Sequence, residues 1–224
     1  MAETGGVGAP VRIEVFMDYH CPYSHRVVCW LDDLTPGLAE IRHRFFALEQ
    51  VNRDPEAAQW RIWEQPLDYE HHLGRQDRRV LAAFLATAAV EAAGTGGEIV
   101  RRFRRAIYAA RFEDRLDIAD PNVLDAAGVR AGLPAGWVRA ALLDEASSAA
   151  AREVIGRDWA AARSPWLVFG VPTLVIDEEA PFYLRLAEAV PPAKGVAFLA
   201  ALRAFRAAAP GVLELKQPER TSAD

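Results

Sequence analysis

The residues of this chain best suited to covalent chemistry are Cys21-Pro22-Tyr23-Ser24. An apolar, strand-forming run from Val11 to Met17 leads into them, and Val27, Val28, Leu31 and Leu34 follow at helical spacing, so the cysteine stands where a strand hands over to a helix. Pro22 has no N–H and a fixed φ, which suits a first helical position. Cys21 then becomes the cap, with the free N–H groups of the first turn aimed at its sulfur. That placement predicts a favoured thiolate, with a pKa lowered from about 8.5 into the range of roughly 3.5–7.5. A thiolate there attacks a disulfide sulfur or an electrophilic carbon, and a small thiol partner makes the intermediate a mixed disulfide. The fourth motif position is Ser24 and not a second cysteine, so release requires a thiol from another molecule.

The neighbours admit both a chemical and a plain reading. The Ser24 hydroxyl, one turn on, can donate to the sulfur or serve as an ordinary first-turn polar group. Pro22 and Tyr23 can start and pack the helix, or line an acceptor pocket. His20 and His25 flank the thiol; as imidazolium either would lower its pKa, and as solvated side chains neither would. Asp18 is a proton acceptor or a loop cap. His20, Cys21 and His25 match no zinc spacing, and no metal is expected. Cys29 lies about 12 Å of helical rise from Cys21, too far for a disulfide, and reads as a small buried hydrophobe. His71-His72 read as solvated, and Gly94 to Gly97 as a helix stop.

A second segment, Gly170-Val171-Pro172-Thr173, lies 150 residues beyond the cysteine. Together the two stretches resemble the thioredoxin superfamily, in its DsbA-like branch. That branch includes the kappa-class glutathione transferases and 2-hydroxychromene-2-carboxylate isomerases, whose motif is Ser-Pro-Tyr-Ser; this chain keeps the frame with a thiol in first place. The resemblance implies that Pro172 is cis and opposite Cys21, and that the Val171 backbone binds an extended thiol or peptide. Leu48 to Asp54, and the C-terminal third from Pro172 through Leu213-Glu214-Leu215-Lys216, are similar to mycothiol-dependent nitroreductases, whose motif has two cysteines. The implied co-substrate is glutathione or mycothiol with no tightly bound cofactor, and Asn52 would contact its polar ends. Dimers among the kappa-like relatives leave room for a homodimer.

The surrounding chain must position these residues. At 224 residues it exceeds a minimal thioredoxin core of about 100 residues, which leaves room for an insertion. The expected fold is α/β, a thioredoxin fold with an inserted all-helical domain, DsbA-like. The thioredoxin parts would be 11–54 and 164–216, the insertion 55–163, with flexible tails at 1–10 and 217–224. Expected elements are strands at Val11–Met17, Ile41–Leu48, Thr173–Ile176 and Pro181–Arg185. Expected helices are 22–34, 55–64, 76–93, 98–110, 121–127, 134–143, 147–162 and 192–208. A composition of 51% hydrophobic and 25% charged residues is that of a globular protein, and a net charge of −5 argues against a nucleic-acid partner. The first ten residues lack a signal-peptide pattern and no run is long enough for a membrane, so a cytoplasmic location is expected.

The leading functional expectation is a cytosolic DsbA-family thiol-disulfide oxidoreductase of monothiol type, working through Cys21. The alternatives are a kappa-like transferase or isomerase acting on small electrophiles, and a catalytically silent peptide-binding or chaperone-like module.

Overall fold

In the computed structural model, residues 10–34, 36–53 and 59–216 are described. The first strand, β1 (Val11–Met17), is followed by α1 (Pro22–Asp32) and β2 (Ala39–Phe45). β2 lies parallel to β1, with Ile13 opposite Ile41. Two strands late in the chain, β3 (Thr173–Ile176) and β4 (Phe182–Tyr183), complete a mixed sheet of order β2-β1-β3-β4. β3 runs antiparallel to β1, with Val15 opposite Leu174. Parallel neighbours need a crossover, and α1 supplies it.

Strand alternation sends side chains to opposite faces of this sheet. Ile13 and Val15 pack with Val27, Trp30 and Leu31 of α1, with Leu174 and Ile176, and with Leu199 of the C-terminal helix. Phe16 faces the other way, toward Phe46, Ala162, Val168, Val175 and Cys21. Each such residue removed from water contributes roughly 1.5–3 kcal/mol, so both faces are committed to burial.

Between β2 and β3 the described residues form helices and no strand. They are α2 (Leu48–Val51), α3 (Leu81–Ala92), α4 (Gly97–Phe112), α5 (Pro121–Ala131), α6 (Trp137–Leu143) and α7 (Glu145–Arg163). Nine residues of α3 are buried, among them Phe84, Leu85 and Thr87, which is how a helix apolar on every side must sit. It is the centre of a second core with Phe103, Ile107, Leu124, Val138 and Ile155. α7 returns to the sheet, where Asp158 accepts from Arg44 Nη1 at 2.9 Å and from the Phe45 amide at 3.0 Å. The last helix, α8 (Gly195–Ala208), lies against α1. Trp30 Nε1 donates to Gly195 O at 3.1 Å, and a Cβ on Gly195 would come within 3.3 Å of the indole.

Several boundaries differ from those expected. β2 starts and stops two to three residues early, because beyond Phe45 the chain turns to give its Leu48 amide to Asp18. Its Arg44 is paired with Glu14 and Asp158 and is not solvated. α1 stops at Asp32, before Leu34. Of the helix expected over 55–64, residues 55–58 lie outside the described ones, and only a 3-10 turn, Ile62–Glu64, is present. Gln76–Arg78 is another 3-10 turn, separate from α3. α6 begins at Trp137 and not at Pro134, since Gly136 in a left-handed conformation caps it. α8 likewise starts at Gly195, after a 3-10 turn at Pro192–Lys194. β4 keeps two of the five residues expected. The tails at 1–9 and 217–224 lie outside the described residues.

Candidate active site

Cys21 is the N-cap of α1, in extended conformation, with Pro22 at the first helical position. Its sulfur accepts from the Ser24 amide at 3.4 Å, and its thiol donates to the Val171 carbonyl at 3.3 Å. The Val171–Pro172 peptide is cis, and both residues are buried. Two stretches 150 residues apart thus meet at one sulfur, because β1 and β3 are neighbours and Phe16 is paired with Thr173.

The electrostatics overturn one expectation. Cys21 is only 4% exposed, and burial pushes its thiol above its ordinary pKa. The Ser24 hydroxyl and amide pull the other way without prevailing, while the Asp18 charge adds to the rise. One helix terminus supplies partial charge, whereas burial withdraws the hydration of a whole one. The thiol is therefore the resting form, and the favoured thiolate is corrected. Ser24 itself is buried, and its hydroxyl oxygen also accepts from the Asp18 amide at 3.4 Å.

Neither histidine is an imidazolium. Burial pulls His20 down to about 3, and its Nε2 donates to the Arg79 carbonyl at 3.3 Å, since a carbonyl can only accept. His25 is stacked at 5.0 Å on Tyr108 and 5.2 Å on Phe112, and burial lowers it also. Neither helps the thiolate by charge, which corrects that part of the reading. Asp18 is a clamp. Its carboxylate accepts from the His20 amide at 2.7 Å and the Leu48 amide at 2.8 Å, and burial raises it to about 6. Asn52 is exposed at the C-cap of α2, beyond Leu48 and Val51, which pack against the cluster containing Cys21.

Tyr23 is half-buried beside the thiol. Arg185 donates to its hydroxyl and lies 4.2 Å over its ring; Arg26 approaches the same ring at 5.6 Å. Phe169, 69% exposed, meets Tyr183 at 5.4 Å, giving the proline side of the site an apolar rim. The sequence offered no signal for Arg185 or Tyr183, because a short strand after a turn brings them here. Tyr19 was also missed: its hydroxyl donates to Thr87 at 2.7 Å, whose own proton goes to Ala83 O, so the cysteine loop is tied to α3.

Cys29 is free and half-buried where full burial was expected; burial raises its thiol, and Arg105 donates to its backbone carbonyl at 3.2 Å. His71 is buried and faces Glu49, against the expectation of solvation. Glu49, His71 and His72 bring potential ligand atoms within 4.8 Å of one another. Their chemistry does not suit a cation. Glu49 already accepts from Arg53 at 2.9 Å and from Tyr69, and His71 Nδ1 accepts from the Leu73 amide at 3.2 Å, which keeps the proton on Nε2.

Comparison with known proteins decides the family. The DSBA-like thioredoxin domain matches residues 12–202. The chain belongs to this family. At the level of sequence no curated protein matches it. Among solved structures it is similar to the cytosolic disulfide reductase DsbM from Pseudomonas aeruginosa with GSH, at a TM-score of 0.57 and 17% identity over 86% of this chain and 99% of that one. DsbM from Pseudomonas aeruginosa is also matched in a second structure, at a TM-score of 0.56 and 19% identity over 87% and 99%. The oxidoreductase NmDsbA1 from N. meningitidis matches at 0.48 and 14%, over 92% and 88%. As a member of the DSBA-like thioredoxin domain family, the chain has the DsbA-like thioredoxin fold anticipated from its two motifs. No helix among the described residues is long and apolar enough to cross a membrane.

Proposed function

We propose that this DsbA-like protein is a monothiol thiol-disulfide oxidoreductase of the cytosol, in which Cys21 cycles through a mixed disulfide with a small thiol. The observation that carries the reading is the position of one sulfur between the Ser24 amide and the Val171 carbonyl, with a buried serine where a resolving thiol would stand. The Val171 carbonyl takes the proton of the resting thiol in a hydrogen bond, and the Ser24 amide and hydroxyl stabilise the thiolate once it forms. Cys21 first releases its proton to solvent; attack of the thiolate on a disulfide R–S–S–R′ then forms the Cys21–S–S–R bond, breaks the R–S–S–R′ bond and expels R′S⁻, which takes up a proton from solvent. A second thiol, RSH, then regenerates Cys21 and leaves as R–S–S–R.

Low exposure favours a slim partner over a folded protein surface, and a DsbM structure with GSH supports glutathione as the thiol class. Mycothiol is the other member of that class consistent with the C-terminal resemblance. His20, Pro22, Tyr23, His25, Asn52, Val171 and Pro172 would border the small thiol. The cytosolic assignment is supported by the likeness to DsbM, a cytosolic disulfide reductase. A second reading has its own observation. A resting, hydrogen-donating Cys21 can stabilise a bound thiolate as a serine would in a kappa-like transferase, without being oxidised itself.

Incubation with oxidised glutathione followed by intact mass measurement separates the two. The monothiol reading expects one glutathione adduct, on Cys21, that persists until reduced thiol is added. Ser24→Cys should release it unaided. Absence of an adduct together with conjugation of glutathione to an electrophile would replace this reading with the transferase.

A further inference from the structure

The arginines of α4 fall into two groups. Arg101 and Arg102 pair with Glu98, Arg104 with Asp32 and Arg105 with Asp33. Arg111, in the last turn, has no ion-pair or hydrogen-bond partner among the described residues, although it is half-buried and its Nε is shut off from solvent. Burial weakens its hold on its proton and the Arg78 charge adds to that, while Asp77 and Asp117 oppose it without being bonded to it. Asp117 is engaged elsewhere, accepting from the Ala119 amide at 2.8 Å. A cation withdrawn from water and left alone is costly, which marks it as a candidate for binding an anion.

This arginine stands beside the thiol loop. Tyr108, one turn before it, donates to the Asp18 carbonyl at 3.5 Å, and Phe112, next to it, stacks on His25 of α1 at 5.2 Å. A second guanidinium arrives from the 3-10 turn Gln76–Arg78. Arg79, just beyond that turn, takes the His20 Nε2 proton at its carbonyl, and its side chain donates to the Leu67 and Tyr69 carbonyls, both at 3.4 Å. The turn is thereby fixed against the residue before Cys21. Arg78 itself is 40% exposed, and its ion-pair partner among the described residues is its chain neighbour Asp77, at 3.8 Å. Burial dominates the ionisation of His20, and the charges of Arg111 and Arg78 push the same way. With the proton on Nε2, His20 Nδ1 is a bare acceptor, buried and without a partner.

We propose that Arg111 and Arg78 form an anion subsite beside Cys21 that takes the carboxylate end of a peptide-like thiol. The proposal rests on the reading of a small thiol at Cys21 and names the chemistry of one end of that thiol; it serves the disulfide exchange and the transferase alike.

Two guanidinium groups that converge on one histidine repel each other until an anion enters, and their forks match a carboxylate with parallel N–H bonds. An amide N–H near that carboxylate would meet the bare His20 Nδ1, and a peptide acid supplies both groups where a simple acid supplies one. The whole chain carries a net charge of −5, so this cationic pair is a local feature set against the overall field. No bond forms or breaks at either arginine. They hold the acid end while the sulfur of the thiol lies at Cys21.

The test titrates S-methylglutathione, a thioether that cannot exchange, into the full chain by calorimetry, beside its dimethyl ester, in which both carboxylates are neutral. The parent should bind the acid about tenfold more tightly than the ester at low salt, a gap that closes as salt rises. Arg111→Gln should remove most of that gap and Arg78→Gln should narrow it about threefold. Arg139→Gln, on the exposed side of α6, should leave it unchanged. Because Arg111 has no partner in the free chain, Arg111→Gln should also leave the urea unfolding midpoint where it is. A gap untouched by Arg111→Gln, or equal weakening of acid and ester, overturns the assignment; a lowered midpoint with the gap intact would make Arg111 an answer to the helix dipole only. Uptake of glutathione by Cys21 from its disulfide, without selective binding of the acid, would overturn the subsite and leave the monothiol reading standing. Selective binding without uptake would support the subsite and replace the monothiol reading with the transferase.

Discussion

The two ends of α1 each carry a cysteine, and burial raises the pKa of both. Around Cys21 the hydrogen-bond partners are neutral, the Ser24 amide and the Val171 carbonyl, and the one charge that acts on it, on Asp18, disfavours the thiolate. Around Cys29 they are ionic. Asp32 is bound by Arg104 at 3.0 Å and Asp33 by Arg105 at 2.8 Å, both from α4. Acidic side chains at a helix C-terminus oppose its dipole, so those arginines answer a local need and dock the helix as well. The lesson is that acidity does not tell the two thiols apart. Their surroundings do: one end meets the cis Val171–Pro172 peptide, whose carbonyl accepts from the thiol, and the other is an anchor.

The contrast breaks most sharply at the sulfurs. Cys21→Ser should lower adduct formation with oxidised glutathione by at least about a hundredfold, because a hydroxyl does not replace a thiolate nucleophile, whereas Cys29→Ser should leave the rate near that of the parent. Equal losses from both would show that the anchor takes part in the chemistry.

At the anchor, Arg104→Ala leaves Asp32 buried without its partner, and should cost about 3–5 kcal/mol in urea unfolding. Arg105→Ala breaks a partly exposed pair, and should cost about 0–1 kcal/mol. Similar values for the two would mean that burial does not set the strength of this end.

The dependence on pH sharpens the comparison at the site. Alkylation of Cys21 by iodoacetamide should rise roughly tenfold per pH unit and continue past about 8.5, where an ordinary cysteine levels off. A plateau in the acid range would mean that the helix terminus prevails over burial. The sign for stability follows. The folded chain holds the Cys21 proton more tightly than the unfolded chain, so this contribution is complete below the ordinary cysteine pKa and is lost as pH rises through the folded one. The smallest effect is expected of Ser24→Ala, which removes a hydroxyl that favours the thiolate and should slow adduct formation about threefold at neutral pH.

The chain by itself determined β1, the N-cap at Cys21, the helix that follows and the proline segment at Val171-Pro172. Each is written in local rules: a proline that suits only the first turn, an apolar period, a short β-branched run. Those local signals also sufficed for the DsbA-like fold. The tertiary structure decided what they cannot hold. The ionisation of Cys21, His20 and His25 depends on how much water the packed core removes, and Phe16, Phe46, Val168 and Val171 gather in the cluster that holds Cys21 from three separate stretches. The role of Asp18 was equally out of reach, since its partner amide at Leu48 arrives only when β2 ends. Arg185 stands over Tyr23 because a two-residue strand pairs with β3 and Arg26 grips the chain beyond it. Spacing along the sequence records what one segment can form; desolvation and long-range contact depend on which segments meet.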